Sequence, residues 1–299
     1  MNWIEKIIGN NSFVTNPKGN TYFCDGTAAG SNSYDGLTPA TPKQTLTAAH
    51  ALTRNRMDDT IVVLNYGAVG AAAEPSFPIV LSNSMIHVIG AQCLDNSKWP
   101  TISAIGRAAH AIDITGQRVE IADLEIGGDA GFAGIHVGSV GGIWAACIHD
   151  VWFGITGDTI GQDGIYTAVG EDAPYLEVYD CRFGASLTRH GIYINGNATK
   201  GILGKQGHGN KFLRMLKIAI NVAGPAGLDE IVGNLFALSE DTVGYAITMS
   251  ALSSGALISG NKAGFKIDAM TNNPFRDLSN ANHWLDNWRQ GLTIAPDTV

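Results

Sequence analysis

The feature that most restricts the fold is self-similarity at a fixed spacing. Residues 162–183, "QDGIYTAVGEDAPYLEVYDCRF", and residues 189–212, "RHGIYINGNATKGILGKQGHGNKF", open alike, diverge through a polar middle and close alike. A small residue followed by isoleucine recurs at Ile112, Ile135, Ile165, Ile192, Ile220 and Ile247, in steps of 23, 30, 27, 28 and 27. A second marker, Asp123, Asp150, Asp180, Asn210, Asn234 and Asn261, advances in steps of 27, 30, 30, 24 and 27. Two markers sharing one mean period define a repeat architecture, in which each unit buries its apolar face on the next.

The units are short apolar alternations such as "VEIADLEI" and "YLEVYDCRF", broken by Gly, Asn and Asp, and this pattern suits strands. A propeller blade needs about 40–45 residues, more than these units hold. The period fits one coil of a parallel β-helix, with strands of successive coils about 4.8 Å apart. The isoleucines then form an interior file. The Asp/Asn marker falls at a tight turn, because these residues tolerate left-handed backbone. The expected fold is an all-β, right-handed parallel β-helix with an N-terminal capping helix. Residues 1–20 form an arm, 21–107 a cap with the first strands, 108–270 the coils, and 271–299 a Trp/Asn-rich tail that breaks the period. The capping helix is predicted over Pro39–Arg56, with Leu46, Ala49 and Leu52 on one face.

The chain has 299 residues, 45% hydrophobic and 15% charged, with a formal net charge of −8 and no Lys/Arg run. That balance argues against nucleic acid as a partner. No stretch approaches the roughly 18 apolar residues of a membrane span, and the first residues do not read as a signal peptide. Cys24, Cys93, Cys147 and Cys181 lie far apart, without metal-binding or redox spacing, and read as buried free thiols. No cofactor or metal motif is present, so none is expected.

The segment "YFCDGTAAGSNSYDGLTPATPKQTLTAAHAL", with "DDTIVVLNYG" after it, resembles the opening strand, turn, capping helix and strand of the pectin-lyase-like β-helix proteins. The resemblance covers roughly residues 20–270. Within that group the chain looks most like bacteriophage tailspikes and capsid decoration proteins. This implies a homotrimer on a virion, made in the host cytoplasm, in contact with other virion proteins such as the major capsid protein. The acidic clusters and Arg-x-x-Lys pattern of pectate lyases and polygalacturonases are absent, so no catalytic residue carries over from the resemblance.

The residue after each marker isoleucine should face outward, giving Asp113, His136, Tyr166, Tyr193, Asn221 and Thr248. Tyr166 and Tyr193, with His136 and Tyr179, are the candidates for contact with a sugar or a subunit, since aromatic rings can stack on sugar faces. The catalytic candidates are Asp163, Glu171, Asp172, Arg189 and His190. Paired carboxylates about 5–9.5 Å apart are what glycoside hydrolysis requires. Trp3, Ile4, Ile7 and Ile8, on one helical face of the arm, and Trp284 and Trp288 in the tail are candidate assembly anchors. The expected function is binding within a phage virion. The alternative is a tailspike-like depolymerase, a glycoside hydrolase or lyase acting on bacterial surface polysaccharide.

Overall fold

The computed structural model describes residues 19–298 apart from 28, 66–73, 92–98, 139–141, 155–159, 214–217, 226, 239–244, 266–273, 290–291 and 294–296. Trp3, Ile4, Ile7, Ile8 and Cys93 lie outside the described residues. Three sheets of ten, nine and nine strands run the length of the molecule. One coil passes through Val119–Ala122 in the first sheet, Glu125–Gly127 in the second and Ile135–Val137 in the third. It re-enters the first sheet at Cys147–His149. Successive coils pair in parallel, so the chain is the β-helix that the repeat predicts. At the C-terminal end Trp288–Arg289 and Leu292–Thr293 close the second sheet as an antiparallel pair.

The isoleucine file is continuous. Ile79, Ile112, Ile135, Ile165, Ile192, Ile220, Ile247 and finally Phe275 stand opposite one another along the third sheet, all buried. Each such side chain contributes about 1.5–3 kcal/mol by leaving water. In the second sheet Phe153, Phe183, Phe212 and Phe236 stack inside the solenoid, with ring centroids 4.7–5.0 Å apart. This stack explains the repeated Gly-Ile-Tyr. A Cβ at Gly164 would sit 2.7 Å from Phe183, and one at Gly191 would sit 2.5 Å from Phe212. The glycine that opens each repeat and the phenylalanine that ends it are therefore two sides of one contact.

The Asp/Asn marker joins two adjacent columns. Counting from the pairs Arg182↔Lys211 and Lys211↔Leu235, Asp180 stands opposite Gly209 and Gly233, whereas Cys181 stands opposite Asn210 and Asn234. Asp123, Asp150 and Asp180 hold left-handed backbone at φ 57, 53 and 53, a position taken later by Gly233, Gly260 and Asp286. The asparagines point inward. Each of Asn210, Asn234 and Asn261 donates its backbone N–H and its Nδ2 to the Oδ1 of the next asparagine, ending at Asn287, at 2.9–3.2 Å. Each Nδ2 also donates to a carbonyl at 2.8–2.9 Å. Every amide in this buried ladder is thus satisfied, which burial requires.

Two expectations need correction. The capping helix spans only Leu46–His50, with the Thr45 side chain accepting from the Ala48 N–H. Lys43 is already bridged to Cys24, and Arg54 turns back to bind Asp59, which leaves one helical turn between them. The tail continues the coils, because Phe275–Asp277, His283–Leu285 and Trp288–Arg289 extend the three sheets. The small-Ile marker vanishes there because Phe275 replaces isoleucine in the third-sheet file, while Trp284 follows Ile258 in the inner column of the first sheet. Trp284 and Trp288 are accordingly strand residues of different sheets and do not share a helical face. Trp284 packs on Phe275 and donates Nε1 to Asp277 at 2.9 Å, while Trp288 faces outward, 39% exposed.

Among the described residues no helix is long and apolar enough to cross a membrane. Cys24, Cys147 and Cys181 are free thiols, and burial pushes all three upward, Cys147 to about 12.

Candidate functional site

The outward column of the third sheet runs Asp113, His136, Tyr166, Tyr193, Asn221 and Thr248, in register over six coils as the spacing predicts. Beside it lie His110, Asp163, Arg189 and His190. Together they form a polar, aromatic strip on the outside of a solenoid, where ordinary strands need only solubility.

Charge pairing organises the strip. Asp163 is 1% exposed and lies opposite His190. Its oxygens accept both Nε and an NH2 of Arg189, Nδ1 of His190 at 2.9 Å and the His190 backbone N–H at 3.1 Å. The guanidinium so held lies over Tyr193, 4.5 Å from the ring centroid, and 5.9 Å from that of Tyr166. On its far side His190 meets the Asn221 amide through Nε2, at 3.2 Å.

One coil earlier, His136 bridges two carboxylates, with Nδ1 3.2 Å from Asp113 and Nε2 2.7 Å from Glu171. Burial alone would lower His136, but these hydrogen bonds and the two negative charges overcome it and raise the imidazole. Glu171 reaches the strip from the loop after the Gly161–Thr167 strand. His110 stacks on His136 at 5.0 Å, and burial together with repulsion from His136 lowers it.

Asp163, Arg189, His190, Glu171, His136, Tyr166 and Tyr193 therefore come together, whereas Asp172 and Tyr179 do not join them. Asp172 pairs its backbone with Asn197 at the corner leading out of the sheet. Tyr179 lies on the first sheet, stacked on His149 at 4.9 Å. That face carries a second cluster that the sequence reasoning missed. Glu120 there accepts from His149 at 2.8 Å and pairs with His87 at 2.5 Å, and His149 Nδ1 reaches Asp150 at 2.9 Å. The available signal was the outward alternation of His87, Glu120, Cys147 and Glu177 in the strands that pair there.

His110, Asp113 and His136 bring potential ligand atoms within 4.8 Å of one another. The donor set does not suit a metal. His110 Nδ1 accepts the Ala133 N–H at 2.9 Å, so the neutral ring carries its proton on Nε2. Both nitrogens of His136 are engaged by carboxylates. The tyrosine ladder also differs from a stacking platform. Tyr166 and Tyr193 lie 5.6 Å apart and stacked, with His136 beyond one ring and Arg189 over the other. Their faces contact one another, and edges and hydroxyls are left to meet a ligand.

No family model and no curated protein matches the chain. Among solved structures it is similar to the GH136 lacto-N-biosidase of Eubacterium ramulus. The selenomethionine derivative matches at 14% identity and TM-score 0.44, over 91% of this chain and 60% of that one. The native protein matches at 11% identity and TM-score 0.42, over 99% and 68% respectively. The chain thus spans three fifths to two thirds of that enzyme's length.

Proposed function

We propose that the protein is a glycan-recognising β-helix whose third sheet takes an extended polysaccharide, of the bacterial surface type, between Asp113 and Asn221. The observation that carries this reading is Arg189. A buried carboxylate fixes it, two tyrosines underlie it, and its side chain stays 29% exposed, so the guanidinium N–H groups not taken by Asp163 form an ordered donor array at the surface. The hydroxyls of Tyr166 and Tyr193, the Asn221 amide and the Glu171 carboxylate add donors and acceptors along the same line. Such prearranged polar groups give orientation and specificity to a ligand site. A glycan array followed by calorimetry tests the proposal. Arg189→Gln should weaken binding about tenfold, the loss of one charge-assisted contact. Absence of binding to any bacterial polysaccharide by the native protein would overturn it.

Cleavage is the second reading, and Glu171 favours it. General acid catalysis of glycoside hydrolysis needs one protonated carboxyl beside an ionised one. Glu171 stands 2.7 Å from His136 Nε2, which sets a carboxyl and an imidazole side by side on the strip as the pair available for proton transfer. Release of reducing ends, abolished by Glu171→Gln, would establish hydrolysis, and new ultraviolet absorption would establish a lyase. The homotrimeric virion setting implied by the phage resemblance is a separate proposal. Light scattering on the purified chain tests it, since a monomer would remove its main support.

A further inference from the structure

We infer that Trp144 and Tyr175, at the corner where the chain leaves the third sheet for the first, form the sugar-stacking subsite, and that it accepts a neutral, β-linked hexopyranose. The inference rests on the glycan reading above and adds where a sugar ring lies and which sugars fit. Stacking of a pyranose on an aromatic ring requires an open ring face. The Tyr166–Tyr193 ladder offers none, because each ring is covered by its neighbours along the axis.

The corner differs. Trp144 is 52% exposed and Tyr175 38%, both large rings left in water. They are tilted 32° to each other with centroids 5.7 Å apart, and Lys200 Nζ lies 5.4 Å from the Tyr175 ring. Tyr175 is thus bounded on two sides, whereas Trp144 has one aromatic neighbour.

The support beneath is rigid. Ala145, Tyr175 and Lys200 hold left-handed backbone at φ 62, 60 and 57, fixed by Ala145 N–H to Pro174 O and Tyr175 N–H to Thr199 O, each at 2.9 Å. A bulky residue in this region is uncommon and unfavourable unless its surroundings impose it. The polar groups that a ring hydroxyl needs are adjacent. A Cβ at Gly142 would lie 3.6 Å from both Trp144 Nε1 and Asp172 Cβ, so the indole N–H and the Asp172 side chain border one notch that a larger residue would narrow.

Asp172 follows Glu171, which reaches into the strip, so one chain of sugars can touch both places. Charges of both signs border the corner, Asp172 on one side and Lys200 and Arg118 on the other, the Arg118 backbone N–H donating to the Trp144 carbonyl at 2.7 Å, so no field of one sign builds up. That balance suits a neutral sugar. A β-linked hexopyranose with mostly equatorial substituents presents the flat C–H face that an indole prefers.

The test uses the full chain with cellotetraose and β-1,4-galactotetraose as probes. Proton NMR should show a shift of the Trp144 indole N–H, assigned by its loss in Trp144→Phe. Calorimetry should show binding about tenfold weaker in Trp144→Ala and within about threefold of native in Trp144→Phe, with circular dichroism unchanged in both. If Trp144→Ala binds as the native chain does while Arg189→Gln does not, the corner is not a subsite and the strip reading survives. If neither probe binds the native chain, the assignment of a neutral β-linked sugar is overturned, and the polysaccharide array then decides the broader reading separately.

Discussion

Two faces of the solenoid carry the same charge motif, an imidazole gripped at both nitrogens by carboxylates, and they differ in depth. On the first sheet His149 lies between Glu120 and Asp150, and the side chains of His149 and Glu120 are 7% and 9% exposed. On the third sheet His136 lies between Asp113 and Glu171, with side chains 15%, 22% and 20% exposed. The first arrangement is closed by Tyr179 stacked on His149 and by Lys205 above Tyr179. The His149–Glu120 pair is buried and stiffens the coils, although its outer partner Asp150 is 45% exposed. The third-sheet cluster is partly exposed at all three members and can exchange a partner for a ligand. The first-sheet pair is thus a strut, and the third-sheet cluster, built from the same residue types, suits the proposed glycan contact.

The largest expected effect breaks the strut. Glu120→Ala leaves His87 and His149 without their shared carboxylate and should cost about 3 kcal/mol, as loss of one member of a buried pair does. A urea midpoint checks it.

The pH dependence comes next. Burial pushes Glu120 up, but the His149 and His87 hydrogen bonds and charges overcome this and hold it at about 2, against 4.5 ordinarily. Its contribution is full above pH 4.5 and is lost as pH falls from there toward 2. His149 is lowered by burial and raised more strongly by Asp150 and Glu120, to about 9 against 6.5 ordinarily. Its contribution is full below pH 6.5 and is lost as pH climbs through 9. The urea midpoint of the native chain should therefore be highest between about pH 4.5 and 6.5, and a His149→Gln variant should show a shallower decline above 6.5, the remainder coming from the raised His136.

Glu171→Gln sharpens the contrast from the other face. It should change stability by no more than about 1 kcal/mol, because the pair is partly solvated, yet weaken glycan binding in the same calorimetry. The smallest effect expected is that of Tyr193→Phe. It keeps the ring stack and removes one hydroxyl, leaving stability unchanged within about 0.5 kcal/mol and glycan affinity lower by about threefold.

The interior was legible in the sequence where one residue type does one job in every coil. Isoleucine fills the third-sheet file from Ile79 to Ile247, and the outward residues from Asp113 to Thr248 follow by simple alternation. Legibility failed where one marker hides two jobs, since Asp180 takes the left-handed turn outside and Asn210 the amide ladder inside, one residue later. It also failed where contacts cross loops of variable length. Glu171 meets His136 from 35 residues away because of the loop between them, and no period encodes that. Similarly, Trp144 and Tyr175 lie outside the strands whose spacing repeats. The tail was missed because Phe275 carries the third-sheet file onward without the isoleucine that marks it.

The most direct measurement is chemical-shift mapping of the isotope-labelled chain on addition of a polysaccharide that it binds. The account predicts shifts confined to the third-sheet strip, from Asp113 to Asn221, and its adjoining corner, with the His87–Glu120–His149 resonances unmoved. Shifts centred on the first-sheet cluster, with the strip silent, would contradict it.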